Sequence, residues 1–213
     1  GGYNPEEFNT PHLSSLTSGE ELKEGKNSVF TIGYMGNTRN YQGLDFMLEA
    51  ASQIKQKNLF PFRLKLIVSG DREYLLELLR QKGLDALTEL DFDVPHDQVN
   101  EIIRHTDVLT IPRPSLKMTE YAYPSKLPEY LATGIPIILS GVGPIGELLK
   151  GKDFCIIIGT DRISDELEQA LLKVYRMGKE QRNLMGKTAI EFAQNNLTWN
   201  LIGKNINNAL EAI

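Results

Sequence analysis

The sequence lacks several features that define whole classes of protein. It has a single cysteine, Cys155, so an internal disulfide framework is excluded, and a reducing compartment is expected. Because Cys155 lies in an apolar run, we expect a buried structural thiol rather than a nucleophile. No apolar run approaches the roughly 20 residues of a transmembrane helix, and no signal peptide is visible. A net charge of -5 gives no broad positive field for nucleic acid.

Signals for metal binding and for hydrolytic chemistry are equally sparse. The three histidines, His12, His96 and His105, do not have the spacing of metal ligands, and we expect them to be surface or satisfied residues. There is no G-x-S-x-G motif and no Walker A motif. Asp91-Phe92-Asp93 has the spacing of a metal-binding D-x-D, but Pro95 follows closely, so we expect loop and capping residues. No bound metal is predicted.

What the sequence does contain is a regular alternation of short apolar runs with amphipathic segments. The predicted strands are 28–36, 63–70, 88–94, 107–112, 135–141 and 153–159. The predicted helices are 43–57, Asp71–Gly83, Pro95–Arg104, Ser125–Thr133, 144–150, 162–178, 180–195 and one that begins near Thr198. This α/β pattern predicts a single Rossmann-like parallel sheet with helices on both faces and extra helices at the carboxyl terminus.

The domain organisation follows from the same pattern. Residues 1–27 are polar and rich in turn formers, and they predict an irregular arm. Residues 28–213 predict one Rossmann-like domain. In parallel sheets, ligands bind at the carboxyl ends of the strands, so the loops of interest are 33–42, 69–72, 112–125 and 141–146.

One short segment, from Tyr123 to Glu147, concentrates candidate binding groups. We expect Ser125 to cap a helix start whose free N–H groups suit a phosphate. Lys126 adds a cation, and Glu129, three residues later on the same face, can accept hydrogen bonds from ribose hydroxyls. On spacing alone, a solvated Lys–Glu pair is the simpler interpretation.

Two glycine-containing loops are further candidates. The loop from Gly141 to Gly146 spells G-x-G-x-x-G, and Asp161 lies 20 residues beyond Gly141, which is the spacing of a dinucleotide-binding fingerprint. That fingerprint belongs to the first strand of a sheet, whereas four predicted strands precede this loop, and Asp161 also suits a helix N-cap. In the first loop, Gly36 lets the backbone approach an anion, and Arg39 can bind a diphosphate.

The loop after the fourth strand carries two more cations, Arg113 and Lys117. Each is a candidate for anion binding. Each is also compatible with an exposed surface position.

Several of these segments together resemble a known family, the group 1 (family 4) glycosyltransferases of GT-B fold, in their carboxyl-terminal donor-binding domain. Pro124–Pro136 resembles the family's P-x-K-x-x-E-Y-x-A-x-G-x-P block, which is the most specific of the similarities. Weaker ones cover most of the remaining chain: Gly2–Phe8, Tyr34–Gly36 with Gln42–Leu44, Ile67–Asp71, Asp107–Leu109 and Trp199.

The resemblance implies a retaining transfer of a hexose-type sugar from a UDP- or GDP-sugar to a glycan or lipid-linked acceptor, without a cofactor or metal. By this analogy Glu129 holds the ribose, while Lys126 and Arg39 neutralise the diphosphate. Ser125, Gly36, Gly70, Gly143 and Glu147 are expected to approach the donor. The family's usual work in glycan assembly implies a cytoplasmic location, at the inner face of the membrane, with peripheral contact only.

The sequence departs from the family pattern in three places. Asn37 stands where the family has an arginine, Gln42 where it has a lysine, and Tyr121 where it has the first glutamate of an E-x7-E pair. No acceptor domain is recognised, so this chain alone is expected to bind the nucleotide but to transfer inefficiently. A non-catalytic scaffold with a degenerate site is an alternative, and an NAD-binding oxidoreductase domain is a weaker one.

Overall fold

A computed structural model describes Asn4 and residues 29–211. The predicted arm, 1–27, and the segment Gly2–Phe8 therefore lie outside the described residues, apart from Asn4. The strands are β1 (Phe30–Asn37), β2 (Phe62–Ser69), β3 (Thr88–Phe92), β4 (Val108–Ile111), β5 (Ile137–Ser140) and β6 (Cys155–Ile158). The helices are α1 (Leu44–Gln56), α2 (Arg72–Gln81), α3 (His96–Ile103), α4 (Lys117–Tyr121), α5 (Leu127–Thr133), α6 (Pro144–Leu149), α7 (Ile163–Arg176), α8 (Lys179–Asn196) and α9 (Trp199–Glu211).

The strands of the described chain form one parallel sheet in the order β3-β2-β1-β4-β5-β6. The chain builds outward from β1 to β3, returns to the other side of β1 with β4, and builds outward again to β6. The direction reverses between β1 and β4, and the crevice at such a reversal is where open parallel sheets bind ligands. The predicted fold class is confirmed.

Both faces of the sheet are covered by helices. One apolar cluster joins Ile32 and Leu66 to α1 and α7, and the other joins Ile67 and Leu109 to α3, α5 and α8. The neighbours Leu66 and Ile67 belong to different clusters because successive side chains of a strand point to opposite faces. The apolar runs of the sequence are therefore buried from both sides.

The two central strands separate before β1 ends. β1 pairs with β2 as far as Asn37, whereas it pairs with β4 only at Ile32 and Gly33. The last residues of β1 therefore border the crevice, and the backbone groups of Met35 must find partners other than β4.

Three predicted boundaries are wrong in ways that affect the site. β1 continues through Asn37, so Gly33 and Gly36 lie in the strand and not in the loop. The segment 112–125, predicted as loop, contains the short helix α4. α5 begins at Leu127 with Lys126 at the N-cap position and no side-chain capping bond, so Ser125 is not the cap. This start places Pro128 at the second helical position, where its missing N–H breaks no helical bond.

The predictions for the helix ends and for Cys155 have different outcomes. Asp71 caps α2 as predicted, since its side chain accepts from the Tyr74 N–H at 2.9 Å. Gly134 ends α5 in the left-handed conformation, at φ 71°. The predicted cap by Asp161 is wrong, because α7 starts at Ile163 without a side-chain capping bond. Cys155 is a free, buried thiol, and burial raises its pKa to about 12, which makes it unreactive.

The helices in the described part of the chain include none that is both long and apolar enough to cross a bilayer.

Candidate anion-binding crevice

The crevice between β1 and β4 is formed where three chain segments meet. Gly43 begins α1 with φ 78°, and a Cβ atom there would lie 1.8 Å from the Pro112 carbonyl oxygen. The turn before α1 thus packs directly on the backbone that follows β4. Only glycine permits both this conformation and this approach.

Lys126 closes the crevice from the start of α5. Its Nζ donates to the Met35 carbonyl oxygen at 2.5 Å and to Gln42 Oε1 at 2.8 Å, and lies 5.7 Å from the centroid of the Tyr34 ring. The Tyr130 hydroxyl oxygen accepts from the Met35 N–H at 2.9 Å. Two side chains of the α5 region therefore satisfy the backbone of Met35, which β4 does not reach. An ammonium has three N–H donors, so Lys126 keeps one for a ligand.

Arg113 follows β4 after Pro112, and its charge is close enough to Lys126 to lower the pKa of that lysine. The residue is only 6% exposed. Its Nη1 donates to the Ala122 carbonyl oxygen at 2.9 Å, whereas Nε has no hydrogen-bond partner among the described residues. Burial lowers the pKa of this guanidinium, and the Tyr41 hydroxyl partly opposes that effect. An arginine nevertheless keeps its charge at physiological pH.

The two cations act on each other. Burial lowers the pKa of Lys126 to about 8, the Arg113 guanidinium lowers it as well, and the Glu129 carboxylate opposes both. At neutral pH the crevice therefore carries two enclosed positive charges that repel each other. An anion that enters between them replaces lost hydration and relieves this repulsion.

Glu129 lies one turn into α5, with its side chain 14% exposed, and His96 Nε2 lies 3.3 Å from its Oε1. His96 is the first residue of α3, and its side chain is 72% exposed. The interpretation of Lys126 and Glu129 as a solvated surface pair is therefore wrong, because the lysine is held inside the crevice. The predicted roles of the two residues in ligand binding stay predictions.

Some of the other predicted site residues lie on the surface instead of inside the crevice. Arg39 is exposed, and its backbone N–H donates to Asn37 Oδ1 at 3.0 Å. Ser125 and Glu147 are also exposed. The structure shows no contact of Arg39 with Lys126.

The glycines of the predicted nucleotide loops are explained by packing. A Cβ atom at Gly143, which has φ 63°, would lie 2.7 Å from the Glu120 carbonyl oxygen, and one at Gly146 would lie 2.7 Å from that of Gly141. At Gly70 it would lie 2.6 Å from Thr38 Oγ1, and at Gly36 2.6 Å from the Tyr34 hydroxyl. The G-x-G-x-x-G spacing after β5 thus has a structural explanation without a dinucleotide.

The D-x-D triplet forms part of the sheet rather than a metal site. Asp91 lies in β3, contrary to the loop prediction, and forms an ion pair with Lys65 at 2.8 Å. Asp93 follows the strand at φ 52°. Across the described residues, no group of three or more histidine, cysteine or acidic side chains is placed to hold a metal ion.

A second cleft, of about 600 Å³, lies at the opposite end of the sheet. Its lining includes Thr31, Arg63, Lys65, Glu89 and His105. His105 follows α3, and the other four residues come from the amino-terminal halves of β1, β2 and β3, where parallel sheets do not place their ligands. The cation pair lies at the other end, so we take the crevice and not this cleft as the candidate site.

The sequence named Arg113 only as one of several candidate cations, equally compatible with an exposed surface position, whereas the structure buries it. Its position immediately after a buried strand and between two prolines was a signal for a fixed backbone, but not for a buried side chain. Tyr34 and Tyr130 also looked like ordinary apolar residues of a strand and a helix. Their roles depend on contacts with residues about 90 positions away along the chain.

A parallel α/β domain with two enclosed cations and a carboxylate where its strand order reverses has an arrangement that suits an anionic ligand. A model of the group 1 glycosyl transferases matches residues 29–177, more than half of the chain. The chain belongs to this family. A comparison with curated proteins gave no match.

Solved structures share the fold at low sequence identity. A glycosyltransferase from Rickettsia africae is 17% identical, with a TM-score of 0.76 over 97% of this chain and 54% of that one. Anabaena Alr3699/HepE in complex with UDP-glucose is 14% identical, with a TM-score of 0.75 over 100% and 56%. The carboxyl-terminal domain of the Francisella tularensis group 1 protein LpcC is 15% identical, with a TM-score of 0.65 over 80% and 87%. The chain thus spans about half the length of the first two.

Proposed function

We propose that this chain is the donor-binding half of a retaining glycosyltransferase that uses a nucleotide-diphosphate sugar. The observation that carries the proposal is the enclosed ammonium of Lys126, held by Met35 and Gln42 at the switch point of the sheet. A buried cation with a free N–H and a depressed pKa is a ready partner for a phosphate.

In this proposal, the diphosphate lies across the mouth of the crevice. Lys126 neutralises the negative charge that develops as the bond between the sugar and the diphosphate breaks, which stabilises the leaving group without a metal. Glu129, one turn further along α5, accepts hydrogen bonds from the ribose hydroxyls. The acceptor, a glycan or a lipid-linked sugar, contacts a second domain, and transfer of a hexose requires both halves.

The similarity to Alr3699/HepE, a protein crystallised with UDP-glucose, supports a uridine nucleotide as the first ligand to test. GDP is the second. The loop that contains Gly143 and Glu147 is expected to close against the sugar, and Arg39 is expected to reach the phosphates from the exposed turn before α1.

Thermal unfolding with UDP and with GDP tests the proposal. A ligand at 100 times its Kd stabilises by about 2.7 kcal/mol, so we expect the midpoint to rise by about 5–10 °C in the wild type. Lys126→Ala and Glu129→Ala should abolish the rise, whereas Lys173→Ala, which removes an exposed lysine of α7, should keep it. If neither nucleotide shifts the wild-type midpoint at millimolar concentration, the donor-binding proposal fails.

One observation favours a second candidate, a non-catalytic module with a degenerate donor site. Tyr121 stands where the family has its first glutamate, and its side chain is 83% exposed at the end of α4. This module would bind no nucleotide sugar even in the full-length protein. Calorimetric titration of the full-length protein with a panel of UDP- and GDP-sugars separates the two candidates, because the transferase must bind at least one of them.

A further inference from the structure

The backbone of Arg113 is fixed by contacts from three directions. Ser140 Oγ, at the end of β5, donates to the Arg113 carbonyl oxygen at 2.5 Å. The Arg113 N–H donates to the Ile111 carbonyl oxygen at 3.0 Å, and Gly43 packs against the preceding residue, Pro112. The guanidinium therefore starts from a rigid anchor at the carboxyl end of β4.

Among the described residues, the buried side chain of Arg113 has no carboxylate partner of the kind that a buried guanidinium normally has. Its Nη1 donates to the neutral carbonyl oxygen of Ala122, while Nε is enclosed and unpaired. Buried charges in proteins are usually paired with an opposite charge, and buried polar atoms are usually hydrogen-bonded. An unpaired donor on an enclosed cation is the feature expected where a ligand completes the site.

The guanidinium and the Lys126 ammonium border the same crevice, and this shared position indicates what that ligand carries. We propose that Arg113 is a second binding residue for the donor's diphosphate, and that it supplies the cation that the family pattern places at the position of Asn37. Arginine offers a planar fork of donors that matches two phosphate oxygens, whereas the Lys126 ammonium acts as a point charge. Two cations side by side favour two linked phosphates over one.

This inference rests on the proposed function and makes it more specific. The anion is recognised as a diphosphate, by a lysine from the start of α5 and an arginine from the end of β4.

Calorimetric titration with UDP, GDP, UMP and GMP tests the role of Arg113. We expect Arg113→Gln to weaken the binding of the preferred nucleoside diphosphate about 10- to 100-fold, the usual effect of losing a charged hydrogen bond. Binding of the matching monophosphate should weaken much less. Arg113→Lys should lie between Arg113→Gln and the wild type, and Arg176→Gln, which removes an exposed arginine of α7, should bind as the wild type does.

The outcomes distinguish the two proposals. If the wild type binds neither diphosphate, the proposed function fails and this inference fails with it. If the wild type binds and Arg113→Gln binds equally well, or loses both phosphate classes in equal measure, the assignment of Arg113 is overturned while the donor site stands. The unfolding midpoint without ligand shows whether each variant is folded. Should Arg113→Gln not fold, an unchanged ratio of diphosphate to monophosphate affinity in Arg113→Lys overturns the assignment.

Discussion

Lys126 carries its charge in surroundings that oppose charge. Burial and the Arg113 guanidinium both lower its pKa, which is about 8, and only Glu129 works in the other direction. Such a group is protonated at neutral pH but close to its titration range. In the proposed site, the strength of anion binding therefore depends on pH.

The first prediction concerns that dependence. Because the anion binds the protonated lysine, the affinity for the nucleoside diphosphate should be nearly constant at pH values well below the Lys126 pKa. It should fall as the pH rises through about 8. The fall should approach about tenfold per pH unit, since one proton is linked to binding. The terminal phosphate of the nucleotide has a pKa of about 6, so it is already fully ionised in this range and does not contribute to the fall. Calorimetric titrations from about pH 7 to about pH 9.5 measure the slope. The upper limit lies roughly one unit below the ordinary pKa of lysine.

Lys126→Arg is the matched control, because arginine stays charged throughout the same range. Its affinity for the nucleotide should not change with pH. A flat profile in the wild type would contradict the account of Lys126.

Gly43 permits a second prediction at the scale of one residue. A Cβ atom there would collide with the Pro112 carbonyl oxygen, whereas Gly151, at a similar φ of 73°, has nothing within 4 Å. Gly151→Ala should cost about 1–2 kcal/mol, the price of a left-handed conformation for a residue with a side chain. Gly43→Ala should cost at least about 1–3 kcal/mol more because of overpacking, as measured by chemical denaturation. Equal losses in the two variants would show that the turn before α1 does not pack tightly on the backbone after β4.

At the scale of secondary-structure elements, the structure depends on how α5 holds the end of β1. β4 pairs with β1 only as far as Gly33, and the Tyr130 hydroxyl and Lys126 ammonium take over the backbone groups of Met35. The helix that carries the candidate site is thus also a support for the central strand.

Tyr130→Phe tests this support. The change keeps the ring but leaves the Met35 N–H without its acceptor, and we expect a loss of about 1–3 kcal/mol in the free energy of unfolding. Hydrogen exchange at the Met35 amide should become faster. Tyr123→Phe is the matched control, since the Tyr123 hydroxyl is buried and has no partner among the described residues, and its removal should be neutral or stabilising. A Tyr130→Phe variant as stable as the Tyr123→Phe variant would show that the contact with Met35 contributes nothing.

Elements of this kind were predictable from the sequence, because their signals are local. The periodicity of α1, the capping side chain of Asp71 and the glycine after α5 each act within a few residues. Ser125 and Asp161 show the limit of such signals, since a suitable residue before a helix does not fix where the helix starts. The α4 helix was missed because it has only five residues and lies between prolines.

At the scale of the whole molecule, strand order decides which residues form the site. The reversal between β1 and β4 brings Met35 and Gln42 to Lys126, and the hydrogen-bonded pairs of these residues are 91 and 84 positions apart in the sequence. Arg113 comes from the segment after β4. The sequence predicted Lys126 and Glu129 through their motif. It named Arg113 as a candidate cation but did not predict its burial, because that burial arises only when β4, α5 and the turn before α1 meet.

The family is shown over residues 29–177, and the donor site remains the central proposal. The most direct measurement is a titration of the isotope-labelled chain with UDP and GDP, followed through its backbone amide resonances. We predict shifts at the end of β1, in the turn before α1 and in the segment from Arg113 to Glu129. The absence of shifts with both nucleotides, or shifts confined to the amino-terminal ends of the strands near Arg63 and His105, would contradict the account.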